Sequence, residues 1–122
     1  MIQGYFGSKG ELFFEIDLIA ADGAIITVDA LLDTGFTDWL AMDIQDVESL
    51  GCQYIKERQM NTARGEVQFS LYEGTTIFDS QELIVPVLCR QEFPGILIGL
   101  PWLANRLLIV DRKAGILTLG ED

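Results

Sequence analysis

Leu31-Leu32-Asp33-Thr34-Gly35 decides how the rest of the chain is read. The residues leading into it alternate, with Ile26, Val28, Ala30 and Leu32 on one side and Thr27 and Asp29 on the other, which is the period of a strand. An apolar strand therefore delivers a carboxylate into a tight turn. An unpaired buried charge is costly, so an acid in that place is expected to be hydrogen-bonded, paired, or shared with a second acid. The plainer reading of Asp33-Thr34-Gly35 is an ordinary turn, because Asp and Gly favour turns for backbone reasons alone.

Working outward, Leu12, Phe14, Ile16, Leu18 and Ala20 oppose Glu15 and Asp17, so a strand precedes the one ending at Leu32, and Asp22-Gly23 joins the two as a hairpin turn. Downstream, Phe36 to Met42 is apolar enough for a short strand. Asp43 stands where a helix N-cap belongs, Ile44, Val47 and Leu50 recur every three residues, and Gly51 ends the pattern as a C-cap. Gln53 to Thr62 and the alternating Val67, Phe69 and Leu71 make a long hairpin around Ala63-Arg64-Gly65. Glu73-Gly74 is expected to turn the chain again. The run Leu83 to Leu88 then suits a strand covered on both faces, with Pro86 pushing it to an edge or a bulge. Ile96-Leu97-Ile98 reads as a buried strand stopped by Gly99, and Pro101 opens a short helix to Arg106 with Trp102 and Leu103 turned to the core. Leu107 to Val110 and Ile116 to Leu119 close the chain as a hairpin around Asp111 to Gly115. The class is all-β with one or two short helices.

The 122 residues suit a single domain spanning 1–122, and an apolar content of 49% provides one core. Nineteen acids against eight basic residues give a net charge of −11, which disfavours nucleic acid and anionic membranes. The chain has no histidine, so Ser-His-Asp and Cys-His catalysis and histidine-ligated zinc are excluded. Cys52 and Cys89 are far apart in sequence and fit neither a metal cluster nor a redox motif; they read as reduced, small apolar residues. No metal and no cofactor is expected. The most apolar long stretch, Phe93 to Val110, is broken by Pro94, Gly95, Gly99, Pro101 and Arg106 and reads as buried chain rather than a membrane span. Lys9, Glu11 and Asp17 leave no apolar core for a signal peptide, and a cytoplasmic location is expected.

Two features now stand in one chain: an apolar strand ending in Asp33-Thr34-Gly35-Phe36-Thr37, and far downstream Leu97-Ile98-Gly99 opening a short helix, followed by a closing Asp111-x-x-x-Gly115 hairpin. The combination resembles the retropepsin-like (clan AA) aspartic proteases, the single-domain relatives of pepsin, and especially their small bacterial members. The resemblance implies an acid-protease barrel active as a symmetric homodimer. Pepsin-type chemistry needs two aspartates and the chain has one Asp-Thr-Gly, so two copies of Asp33 would meet on a two-fold axis. One carboxylate would take a proton from water attacking a peptide carbonyl while the other, protonated, donates to the carbonyl oxygen.

The resemblance also implies that Thr34, Gly35, Thr37, Ile98 and Gly99 support the active site. Phe36, Asp38 and the hairpin residues Ala63, Arg64 and Gly65 would touch a peptide or protein substrate. Thr34 is also an ordinary β-branched strand residue, Gly35 an ordinary turn glycine, and residues 63–65 a plain surface hairpin. Retroviral members commonly carry a small residue and then an acid after the motif, with an arginine after the second glycine; Phe36, Thr37 and Leu100 stand there instead. Acid and arginine are missing together, so no buried charge is stranded, whereas the Phe36 ring stands beside the catalytic turn and would narrow the cleft. That ring motivates an alternative, a catalytically silent protease-like dimer that binds peptides or proteins. A monomeric β-domain with an ordinary Asp-Thr-Gly turn is the third reading. Met1 to Phe6 and Ile116 to Leu119 are the candidate dimer-forming stretches.

Overall fold

A computed structural model describes residues 1–120 of the chain. Its strands are β1 (Ile2–Phe6), β2 (Leu12–Ile19), β3 (Ile25–Leu32), β4 (Leu40–Asp43), β5 (Gln53–Thr62), β6 (Gly65–Phe78), β7 (Gln81–Arg90), β8 (Leu97–Ile98), β9 (Leu107–Asp111) and β10 (Ile116–Gly120). One helix, α1 (Ile44–Leu50), follows β4, and a 3-10 turn (Leu100–Leu103) follows β8. The sheet order is β5-β6-β7-β4-β8-β3-β2-β1-β10-β9, and β6 also pairs with β2. That extra pairing closes β6, β7, β4, β8, β3 and β2 into a ring. The fold is all-β, as the alternation of apolar residues requires.

The two-residue pleat period sorts the ring's side chains into two sets. Phe14, Ile16, Leu18, Ala30, Leu32, Leu40, Met42, Val87 and Ile98 face the main core, with Trp102, Leu117 and Leu119 packed at its end. Ala41, Leu88 and Leu97 point the opposite way and join Phe69, Phe36, Met60 and Phe93 in a second, smaller cluster. This second cluster explains why the sequence around residues 40–42, 87–89 and 96–98 is continuously apolar: those strands are covered on both faces. Asp43 accepts a hydrogen bond from the Gln45 amide at 2.8 Å, and Gly51 ends α1 in the left-handed region at φ 75°, so both caps lie where the sequence places them.

Four boundaries differ from the sequence reading. Glu73-Gly74 does not turn: β6 runs straight through it, and the chain reverses at Asp79-Ser80, both at positive φ. Gly74 is there for space, since a Cβ would stand 3.1 Å from Val87 Cγ2 and 3.4 Å from Cys52 Sγ. The strand expected over Phe36 to Met42 begins only at Leu40, because residues 36–38 wrap around Gly99. The helix expected from Pro101 to Arg106 is a 3-10 turn ending at Leu103, with Asn105 at φ 60° forcing the chain away. In β7 only the end from Val87 to Cys89 is covered on both faces, while Ile84 and Pro86 are exposed. Pro86 pairs with Glu73 on one side and lies one residue before β4 begins on the other, so its missing N–H is tolerated. The terminal stretches pair within the chain: β1 lies between β2 and β10, with Ile2 opposite Leu119.

Candidate active site

Asp33 is the first residue past β3, and β8 fixes its position. β8 is threaded between β3, which it meets in parallel, and β4, which it meets antiparallel. The Leu31 amide donates to the Ile96 carbonyl at 2.8 Å and the Asp33 amide to the Ile98 carbonyl at 2.9 Å. Ile98 is fully buried, so the strand holding Asp33 is anchored in the core. The Asp33 carbonyl accepts from the Phe36 amide at 3.0 Å, closing a tight turn, and its carboxylate Oδ1 accepts from the Gly35 amide at 2.8 Å. The carboxylate is thus oriented by the backbone while Asp33, Thr34 and Gly35 remain exposed.

Asp33 opens onto a cavity of about 560 Å³. Its floor is the second apolar cluster, including Ala41, Phe69, Leu88 and Leu97, and its roof is Met60 to Ala63 at the tip of the β5–β6 hairpin. In that tip the Thr62 hydroxyl accepts from the Arg64 amide at 3.2 Å and donates to the Gly65 carbonyl at 2.9 Å. Gly65, at φ 97°, sits where a side chain would be strained. Lower in the hairpin, Glu57 is held below the usual carboxylate range by hydrogen bonds involving Ser70, Gln68 and Tyr54.

The loop beside Asp33 is shaped by Gly99 and Trp102. The Leu100 amide donates to the Phe36 carbonyl at 2.9 Å, and a Cβ on Gly99 would strike the Phe36 and Asp38 carbonyl oxygens and stand 2.7 Å from the Phe36 ring. Trp102 is fully buried and its indole N–H donates to the Trp39 carbonyl.

No family model and no curated protein matches the sequence. Among solved structures, a retropepsin-like aspartic protease from Rickettsia conorii superimposes with a TM-score of 0.70 at 17% identity, covering 98% of this chain and 89% of the other. The fold is retropepsin-like. Simian foamy virus (mac) protease matches with a TM-score of 0.54 at 21% identity, over 79% of this chain and 99% of the viral one.

Within this retropepsin-like fold the residues singled out from the sequence separate into groups. Asp33, Gly35, Phe36, Thr37 and Ala63 line the one cavity, and Phe36 forms a wall of it without filling it. Ile98 and Gly99 lie behind, one holding the Asp33 amide and the other making room for the 36–38 loop. Thr34 is exposed beside Asp33 and outside the cavity lining. Arg64 lines a neighbouring cavity instead, and Gly65 lines neither. Asp38 lies outside the lining of both cavities and is bonded to Arg58 of β5 at 3.0 Å. Arg58 was not among the sequence candidates, nor were Met60, Phe69, Leu88 and Phe93, whose meeting under the hairpin depends on sheet closure. Cys52 and Cys89 are both free thiols, and burial pushes Cys89 up to about 12. Among the described residues no helix is long and apolar enough to cross a membrane.

Proposed function

We propose that the chain is an aspartic endopeptidase, a single domain that works as a symmetric homodimer with Asp33 from each copy in one site. The observation that carries this reading is the Asp33 carboxylate, bonded to the Gly35 amide and aimed into an open cavity roofed by a β-hairpin, in a retropepsin-like fold. One such carboxylate per chain makes half a site, and a two-fold axis supplies the rest.

Two carboxyls at hydrogen-bonding distance cannot both be ionised, so the pair shares a proton. The ionised member removes a proton from a bound water as its oxygen attacks the peptide carbonyl carbon, and the protonated member gives its proton to the carbonyl oxygen. The tetrahedral adduct then collapses with proton transfer to the leaving nitrogen. An extended peptide lies between the apolar floor and the β5–β6 hairpin, which acts as a flap that excludes water. Thr34, exposed next to Asp33, bonds across the axis, and Phe36 and Ala63 contact the substrate. The setting proposed for the enzyme is the cytoplasm, where Cys52 and Cys89 would stay reduced.

The test is cleavage of an unfolded protein substrate from acidic to neutral pH, with sensitivity to a statine-type inhibitor and loss in Asp33→Asn. Cleavage that persists in Asp33→Asn would sink the mechanism. Peptide binding without turnover in the unaltered chain would make the protein a silent binding module.

A further inference from the structure

A second cavity, about 590 Å³, adjoins the one that holds Asp33, and the two share Thr62, Ala63, Phe69 and Phe93 as walls. Its lining differs in charge. Arg64 reaches it from the hairpin tip and Arg90 from the end of β7, two of only eight basic residues in a chain with nineteen acids. The Arg90 guanidinium lies over two aromatic rings, 5.6 Å from the Phe69 centroid and 5.5 Å from that of Phe93. Cation–π attraction of this kind holds a guanidinium beside aromatic rings without consuming its N–H donors. The Arg90 Nε is buried with no hydrogen-bond partner, and neither Arg90 nor Arg64 is in an ion pair among the described residues, although Glu92 lines the same cavity. By contrast, Arg58 already has Asp38.

We propose that Arg90, with Arg64, forms an anionic subsite of the peptide cleft, selecting substrates that carry an acidic side chain near the bond to be cut. The inference rests on the aspartic endopeptidase reading. An ordered, unpaired guanidinium loses little freedom on binding a carboxylate. A net charge of −11 repels acidic peptides generally, so acceptance of an acid at this one place is a specificity signal. The two-fold axis of the proposed dimer duplicates the subsite, so one acidic position is expected on each side of the scissile bond.

The test starts with a C-terminally amidated random peptide library, its cleavage sites read by mass spectrometry, followed by a matched pair of peptides with Glu or Gln at the selected position. The expected result is enrichment of Asp and Glu on both sides of the cut and a kcat/KM about tenfold higher for Glu than for Gln. That ratio should approach one in Arg90→Gln, stay intermediate in Arg90→Lys, which keeps the charge without the fork, and shrink as salt is raised. If circular dichroism shows Arg90→Gln unfolded, Arg64→Gln at the exposed turn carries the test, and the ratio must fall there too. No enrichment, or a ratio unchanged in the folded variants, overturns the proposal. A library with free C-termini separates the two sources of carboxylate: a gain confined to it overturns the side-chain assignment. Should the unaltered chain cut nothing, the endopeptidase reading fails separately. Fluorescence anisotropy with Glu-containing and Gln-containing sub-libraries then decides the subsite: tighter binding of the Glu pool supports it and equal binding overturns it.

Discussion

Replacing Gly99 by alanine should damage the site through one added methyl. The Gly99 backbone, at φ −128° and ψ −162°, is extended and open to any residue, so the cost is one of space rather than conformation. The methyl would land on the Phe36 and Asp38 carbonyl oxygens and stand 2.7 Å from the Phe36 ring. Restoring ordinary contact distances requires the 36–38 loop to retreat by about 1 Å. That retreat breaks the Leu100 amide bond to the Phe36 carbonyl, costing about 0.5–1.5 kcal/mol, in addition to about 1–3 kcal/mol for overpacking. Together these lower stability by about 2–4 kcal/mol, or a melting temperature by about 10 °C for a chain of this size. Because the same loop carries the Phe36 amide that bonds Asp33, peptidase kcat/KM should fall about 100-fold at temperatures where the variant is folded. Thermal melts by circular dichroism and peptide kinetics check both numbers. Gly23→Ala is the control: its site has open space and positive φ, so it costs about 1 kcal/mol by strain alone and spares activity. A Gly99→Ala protein that melts and cleaves like the parent would refute the reasoning.

Two further predictions concern pairing and burial. Arg58→Met removes the partner of Asp38, whose side chain is only 17% exposed, and should cost about 1 kcal/mol in urea unfolding; adding Asp38→Asn should restore part of the loss, whereas strict additivity would show that the two do not interact. Burial raises the Cys89 thiol from an ordinary 9.0 to about 12, so the unfolded chain releases this proton at lower pH than the folded one. Its contribution to stability is present below pH 9 and is lost as pH rises toward 12. Urea midpoints of the parent should fall more steeply than those of Cys89→Ala above pH 9, and parallel slopes would contradict the assignment.

Much of the barrel is legible in the sequence because alternation of period two is a local property: β2 shows its buried face residue by residue, and β3 shows it from Val28 to Leu32, although Ile26 on the same side is 43% exposed. The α1 caps are legible for the same reason, as Asp43 and Gly51 each act on backbone within two or three positions. Asp33-Thr34-Gly35 and Leu97-Ile98-Gly99 stand out as motifs, and the structure sets them side by side through β3 and β8. What the sequence conceals is long-range. Glycine signals a turn and close packing alike, so Gly74 is misread until β7 is seen against it. The pairing of Asp38 with Arg58 and the position of Arg90 over Phe69 and Phe93 depend on which strands the closed sheet brings together. Local periodicity carries no trace of either.

The central claim, that two copies of Asp33 build one site, is tested most directly by mixing chains. Parent chain is allowed to exchange with an equal amount of Asp33→Asn chain, and peptidase activity is compared with that of the parent alone at the same total concentration. A site shared across the two-fold axis predicts about one quarter of the activity, the share of dimers with two intact carboxyls after random pairing. Activity of one half would mean that each chain works alone, and would contradict the shared site.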